Sequence, residues 1–347
     1  MPKMIDAIKK EIEFRKNFLQ GTIVETIYFG GGTPSVLPED SLSEILDHIY
    51  QHFNISTTAE ITLEANPDDL TTGYLKALET SPVNRLSIGI QTFDDKVLAY
   101  INRSHSALQA EKAIEQSRAF GFQNINLDLI YAIPGRTNQT WEADIKKCLS
   151  FSPEHLSCYG LTIEEKTTFG NWLTKGKLQP VEEHIEIEQY EYLIDALESQ
   201  QYEQYEVSNF CRDGYYSKHN SSYWHGKPYL GIGPGAHSYD LSSRYHNVSN
   251  NAQYMRDIAA TTLPLTQEKL SQLDFGNEYL LTRLRTKWGI NTDKLSLYFS
   301  PTQMEGVCSK LDYFKKEGYV YQSENQFFLS KSGKLLADRI TEDLIYI

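Results

Sequence analysis

The chain has 347 residues, of which 40% are hydrophobic and 23% charged, and a formal charge of −13. That is a normal globular balance, long enough for one large domain with an appendage, and its acidity excludes non-specific binding to nucleic-acid backbones. No apolar run reaches membrane-span length, and the first twenty residues carry charges throughout, so neither a transmembrane helix nor a secretory signal is expected and the chain reads as cytoplasmic.

In chain order, a helix is expected over 4–19, where Ile5, Ile8, Ile12 and Leu19 fall near helical spacing. A β-rich run over 22–29 follows and ends in three glycines. Helical spacing returns over 41–53 after Pro38, then come a strand at 60–65, a short helix near 70–79 and a strand at 85–91. A helix over 107–120 stops at Gly121, and strands at 124–132 and 155–163 flank a helix at 138–149. This repeated alternation argues for an α/β fold of parallel βαβ units, in a sheet that is open or curled into a partial or full barrel. After 165 the pattern changes to a long Glu-rich helix at 182–200, a strand within 202–209, and a stretch at 218–245 rich in Gly, His, Tyr and Trp. From 266 onward the reading is helix, helix, a β-hairpin around 319–329 and a final helix from Ser332, the order of a small winged-helix-like module. Nothing in this tail is strongly basic, so it is expected to pack rather than bind DNA. The expected divisions are 1–170 for the sheet, 171–265 for a linking region and 266–347 for the tail.

Three strands share a telling alternation. One parity of each is apolar (Ile61 and Leu63; Leu86, Ile88 and Ile90; Ile125, Leu127 and Leu129), while the other carries Thr62 and Glu64, Ser87 and Gln91, Asn126 and Asp128. Side chains alternate between the faces of a strand, and a parallel strand buried on both faces is apolar on both. The polar parities therefore predict a common wet or ligand-filled surface, with Glu64, Gln91 and Asp128 late in their strands, where such sheets bind ligands.

Four segments carry candidate chemistry. YFGGGTPS (28–35) closes a strand, and its glycines allow a ligand to approach the backbone closely, without the lysine of a phosphate-binding loop. DLIYAIPG (128–135) places an aspartate that either accepts from ribose hydroxyls or caps a turn. In KHNSSYWH (218–225), His219 offers an imidazole to heme iron, with Tyr223 and Trp224 as stacking surfaces and His225, His237 and His246 as rivals. GIGPGAH (231–237) is a loop of close backbone approach whose composition assigns it no role. Arg103 can offer a fork to a carboxylate. The cysteines, Cys148, Cys158, Cys211 and Cys308, are scattered without metal-ligand spacing and read as reduced thiols.

The ordered set YFGGGTPS, LEANP, GIQTF, INR, DLIYAIPG, YGLTIEE, EVSNF, HNSSYW and YLGIGPGAHS resembles the radical-SAM heme chaperones of the HemW type, relatives of oxygen-independent coproporphyrinogen III oxidase. The resemblance implies a partial (β/α)6 radical-SAM-type barrel lacking its first strand, with a C-terminal α+β extension. It implies that Gly31, Gly32, Thr33, Glu64, Gln91, Arg103, Asp128 and Thr162 contact S-adenosylmethionine, and that His219 of HNSSYW is the heme-iron ligand. It further implies heme and heme-accepting apo-proteins of respiration as partners, and is compatible with a homodimer and peripheral membrane association. The family opens with a CxxxCxxC loop that binds a [4Fe–4S] cluster; none of the four cysteines here matches it, and a longer natural protein carrying that loop is the expectation. The chain as written is expected not to cleave S-adenosylmethionine. The alternative function is the oxidase itself, removing carboxyl groups from propionates by radical chemistry.

Overall fold

The computed structural model describes residues 1–346. Its main sheet contains β1 (Val24–Phe29), β2 (Ile55–Ala65), β3 (Arg85–Gln91), β4 (Ile125–Tyr131), β5 (His155–Gly160), β6 (Glu203–Gln204) and β7 (Asn209–Cys211), in the order β1-β2-β3-β4-β5-β7-β6. Strands β2 to β5 pair in parallel and β7 joins β5 antiparallel, which gives the α/β sheet of parallel strands expected from the strand–helix alternation, curled into a half-barrel as the family resemblance implies. Residue contacts divide the chain into two compact units. One comprises Gly32–Val36 and Ile61–Ser217; the other comprises Met1–Gly31, Leu37–Glu60 and Lys218–Ile347.

In the first unit the two parities of each strand part as the sequence demands. Leu63, Leu86, Ile88, Ile90, Leu127 and Leu156 are fully buried on one face, each stabilising the fold by roughly 1.5–3 kcal/mol through burial. Crossover helices supply further buried residues, among them Leu75, Ile114, Ile145 and Leu193. The helix Ala107–Ala119 starts at a capping box made by Ser106 and Gln109, and the chain turns at Gly121, whose φ is +91°. The strand expected within 202–209 is instead two short strands, β6 and β7. Glu206 turns the chain between them, accepting from the Ser208 N–H at 3.1 Å and from the Asn209 amide, which ends any continuous ladder.

In the second unit, β2 begins five residues earlier than expected, because Ile55, Thr57 and Thr58 are β-branched and extend the run. The first helix ends at Phe14 rather than 19; residues 15–21 form turns that close on Gln20 and Gly21, both at positive φ. Ile5 and Ile12 of that helix pack with Ile45 of the helix Glu39–His52. A second sheet holds β8 (His237–Tyr239), β9 (Ser243–Asn247) and β10 (Leu265–Lys269), in the order β10-β9-β8 and antiparallel throughout. The GIGPGAH loop is fastened there by a buried carboxylate. Glu11 accepts from the Gly233 N–H at 2.9 Å, the Asn247 amide at 2.7 Å and the Tyr254 hydroxyl at 2.6 Å. Arg15 pairs with Glu11 at 3.3 Å and donates to Ser238 at 3.0 Å. The tail contains the helices Gln272–Leu284 and Pro301–Lys316, a three-stranded sheet of β11 (Ile290–Asn291), β12 (Val320–Ser323) and β13 (Gln326–Leu329), and the final helices Lys331–Leu335 and Ala337–Leu344.

Candidate functional site

The polar face of β2 to β5 is a continuous hydrogen-bonded layer. In register, Glu64 lies beside Ser87, Ser87 beside Asn126, and Asp128 beside Ser157. Deep in the layer, His155 uses one ring nitrogen on the Asn126 carbonyl at 2.6 Å and the other on the Tyr205 hydroxyl at 2.8 Å. The Asn126 amide then donates to Ser87 at 2.7 Å and to Asp128 at 2.7 Å, and Ser87 donates to the other Asp128 oxygen at 3.2 Å. Ser157 bonds the carbonyls of Asn126 and Asn209. Burial holds the His155 imidazole well below its usual range, so the ring is neutral.

At the carboxyl ends of the strands this layer opens. Asp128 is half-buried by exposed area but ringed by protein atoms, and desolvation, with Glu64 adding repulsion, pushes its carboxyl up to about 6. Asn126 opposes this by donating to the ionised form. Arg103 is partly buried, which lowers its guanidinium, while the charges of Asp128 and Asp68 hold the proton on; Arg103 also donates to Asn66 at 3.3 Å. Gln91 ends β3 with φ +66°, a left-handed conformation that breaks the register with β4 and leaves its side-chain nitrogen 2.8 Å from where a Cβ on Gly89 would stand. Around Gly31, whose φ is +81°, and Gly32, no protein atom comes within 4 Å of the position a Cβ would take, so the space beside the glycine turn is not filled by protein. Just past it, Ser35 donates to Asp69 at 2.6 Å and accepts from the Asn66 N–H at 3.2 Å.

The structure therefore brings Glu64, Asp128 and Arg103 into one electrostatic group at the strand ends, with Gln91 at the end of the intervening strand. Thr33 lies between the glycine turn and the short 3-10 turn Pro34–Val36. Thr162 is exposed in the irregular segment after β5. Sequence reasoning misses Asn66, which joins Arg103 to Ser35, and the supporting set His155, Ser157, Tyr205 and Asn209. The alternation of HLSCYG, with His155, Ser157 and Tyr159 on one parity, is the signal for half of that set.

His219 lies in the second unit, on the helix Lys218–Trp224, which the sequence does not mark as helical. Both carboxylate oxygens of Glu60 are used on this helix: one accepts the Lys218 N–H at 3.1 Å, the other the His219 N–H at 3.0 Å. The imidazole stacks on Tyr28 with ring centroids 4.5 Å apart. Its Nδ1 lies 3.1 Å from Thr26 Oγ1 and its Nε2 3.0 Å from the Tyr223 hydroxyl. Burial pushes the Tyr223 phenol up to about 12, so it keeps its proton. When Nδ1–H donates to Thr26, Nε2 carries the lone pair, and the Tyr223 hydroxyl stands on it. Of the rivals, His225 is engaged with the Ser221 carbonyl at 2.6 Å and packs on Trp288; His237 and His246 face each other on β8 and β9.

The model of the radical SAM superfamily matches residues 3–148. Over its whole length the fold is similar to coproporphyrinogen III oxidase of Escherichia coli, a radical SAM enzyme, with a TM-score of 0.84 at 20% identity, covering 99% of this chain and 82% of that one. Residues 3–148 thus carry a radical SAM domain, set in a fold of the same kind as that enzyme's. The heme chaperone HemW of Lactococcus lactis is 34% identical over 322 residues, 93% of this chain and 85% of the relative, and that of Bacillus subtilis is 36% identical over 321 residues, 91% and 84%. The chain belongs to the HemW family.

The superfamily implies S-adenosylmethionine and a [4Fe–4S] cluster. The residues fit the first: an open glycine turn, two carboxylates for hydroxyls and an amino group, and a guanidinium for a carboxylate. The cysteines do not fit the second. Cys148, Cys158 and Cys211 are buried free thiols, burial pushes Cys148 and Cys158 well above the usual thiol range, and among the described residues no three His, Cys, Asp or Glu are grouped to hold a metal ion. Among the described residues no helix is long and apolar enough to cross a membrane.

Proposed function

We propose that the chain is a heme-binding chaperone: it takes up heme with His219 as the axial ligand and passes it to heme-accepting apo-proteins. The observation that supports this most is the seating of His219. Thr26 and Tyr28 orient the ring and Glu60 fixes its helix, which leaves Nε2 under a displaceable hydroxyl. A ligand that must later release its cargo needs an oriented nitrogen with a low exit barrier, and a partly exposed helix satisfies both conditions. Gly31, Gly32, Thr33, Glu64, Gln91, Arg103 and Asp128 form the pocket for S-adenosylmethionine. In it Asp128 and Glu64 receive ribose hydroxyls and the amino group, and Arg103 receives the carboxylate; Thr162 closes the strand-end side. The likeness to the oxidase is one of fold and carries no activity here.

The test is delivery. The chain loaded with one equivalent of hemin is mixed with an apo-b-type cytochrome, and formation of the holo-cytochrome is followed at its Soret maximum. Transfer should depend on acceptor concentration and be lost on His219→Ala. Transfer at a rate independent of the acceptor and equal in the two proteins would mean passive release, and would overturn the chaperone reading.

A further inference from the structure

One cluster of metal-ligating side chains lies outside both sites. His237 on β8 and His246 on β9 are direct cross-strand partners. The hydrogen bonds fix what kind of pair this is. Asn247 N–H donates to Ala236 at 2.9 Å and Asp240 N–H to Ser243 at 3.3 Å, so the bonded pairs fall at 236 with 247 and at 240 with 243. His237 and His246 therefore occupy a non-hydrogen-bonded pair, the register in which opposed side chains approach most closely. Their ring centroids are 5.8 Å apart and inclined by 32°. Both are exposed.

The backbone under each ring is held. A side chain on Gly231 would run into the His237 main chain, so loop and strand are in direct contact there, and His246 is paired on its other side with Thr266 of β10. The two rings stand on the wall of a depression of about 650 Å³ that also includes Asn247, Gln253 and Leu263. The cation nearest in register, Arg244, is taken up by Glu278 at 2.9 Å.

We infer that His237 and His246 form a two-imidazole site for a divalent transition-metal ion, whose remaining positions are filled from the open depression beside the rings. Imidazole nitrogens bind zinc, nickel and copper at about 2.0–2.1 Å. Two rings at a tetrahedral angle then have centroids roughly 5 Å apart, so the observed separation closes by a small side-chain rotation without moving the strands. A competing pair exists: His48 and His52, one helical turn apart with centroids at 4.7 Å. There the His48 Nε2 is covered by protein, which denies an ion access to that nitrogen. The cross-strand pair is exposed, and the nearby Arg244 is engaged by Glu278.

Metal-stripped full-length protein is titrated with Cu²⁺, the strongest binder in the divalent series, and followed by calorimetry and by electron paramagnetic resonance. One ion per chain with hyperfine structure from two nitrogens is expected. His237→Ala and His246→Ala should each weaken binding by about 100-fold, the lower end of what a second tethered ligand contributes. Both positions are exposed, so both variants are expected to melt as the parent does. Hydrogen exchange at the amides of 236–247 should slow on adding the ion. Full binding retained in both variants, or lost only on His48→Ala, overturns the inference.

Discussion

Asp128→Asn isolates the electrostatics of the strand-end pocket. The Asp128 carboxyl is carried from its ordinary 3.8 to about 6, first by desolvation and then by Glu64. A carboxyl raised in the folded state favours folding in acid and loses that contribution as pH rises: below about 4 both states are protonated, between about 4 and 6 only the unfolded chain ionises, and above 6 the full cost is present. At 1.36 kcal/mol for each tenfold change in proton affinity, the cost at neutral pH is about 3 kcal/mol. The asparagine has nearly the same shape, still accepts from Asn126, and carries no charge. The assay is urea unfolding of parent and variant from pH 4 to pH 8, with the two midpoints subtracted so that other carboxylates cancel. The variant should match the parent near pH 4, gain stability progressively to pH 6, and lead by about 3 kcal/mol from there upward. A difference that stays flat across that range would refute the reasoning, because it would mean that Asp128 bears no ionisation cost on folding.

Removing the guanidinium by Arg103→Ala should weaken S-adenosylmethionine binding by about 2 kcal/mol, roughly 30-fold, by calorimetry; unchanged affinity would remove Arg103 from the pocket. Gly89→Ala places a methyl against the flexible end of Gln91, so affinity for the same ligand should fall while the melting temperature barely moves. Glu60→Ala leaves the two N–H groups at the start of the His219 helix without their carboxylate; a stability loss of about 2 kcal/mol by denaturant unfolding and weaker hemin binding should appear together. Tyr223→Phe deletes the hydroxyl on Nε2 and should tighten hemin binding about fivefold, since the net cost of breaking one neutral hydrogen bond is about 1 kcal/mol; weaker binding would show that the phenol is part of the heme contact.

The main sheet is legible in the sequence because its code is simple. A strand such as Arg85–Gln91 with Leu86, Ile88 and Ile90 on one parity has one stable placement, and the helices between strands carry their own caps and stops at Ser106 and Gly121. The same parity marks Glu64 and Asp128 as sharing a face without knowledge of any contact. What stays hidden depends on contacts distant in sequence. Nothing local in HNSSYW announces a helix; its start is fixed by Glu60, far away in the chain. The GIGPGAH loop similarly depends on Glu11, a residue that in the first helix looks like one more solvated acid. The turn at Glu206 that breaks β6 from β7 is a side-chain-to-backbone choice that a run of Tyr, Gln and Val does not reveal.

Whether His219 binds the iron of heme is read most directly by low-temperature magnetic circular dichroism of the ferric heme-loaded chain, which reports the axial ligand. The parent and His225→Ala should both give a histidine-ligated signature, replaced in His219→Ala by that of iron without a nitrogen ligand from the protein. An identical histidine signature in His219→Ala would contradict the assignment.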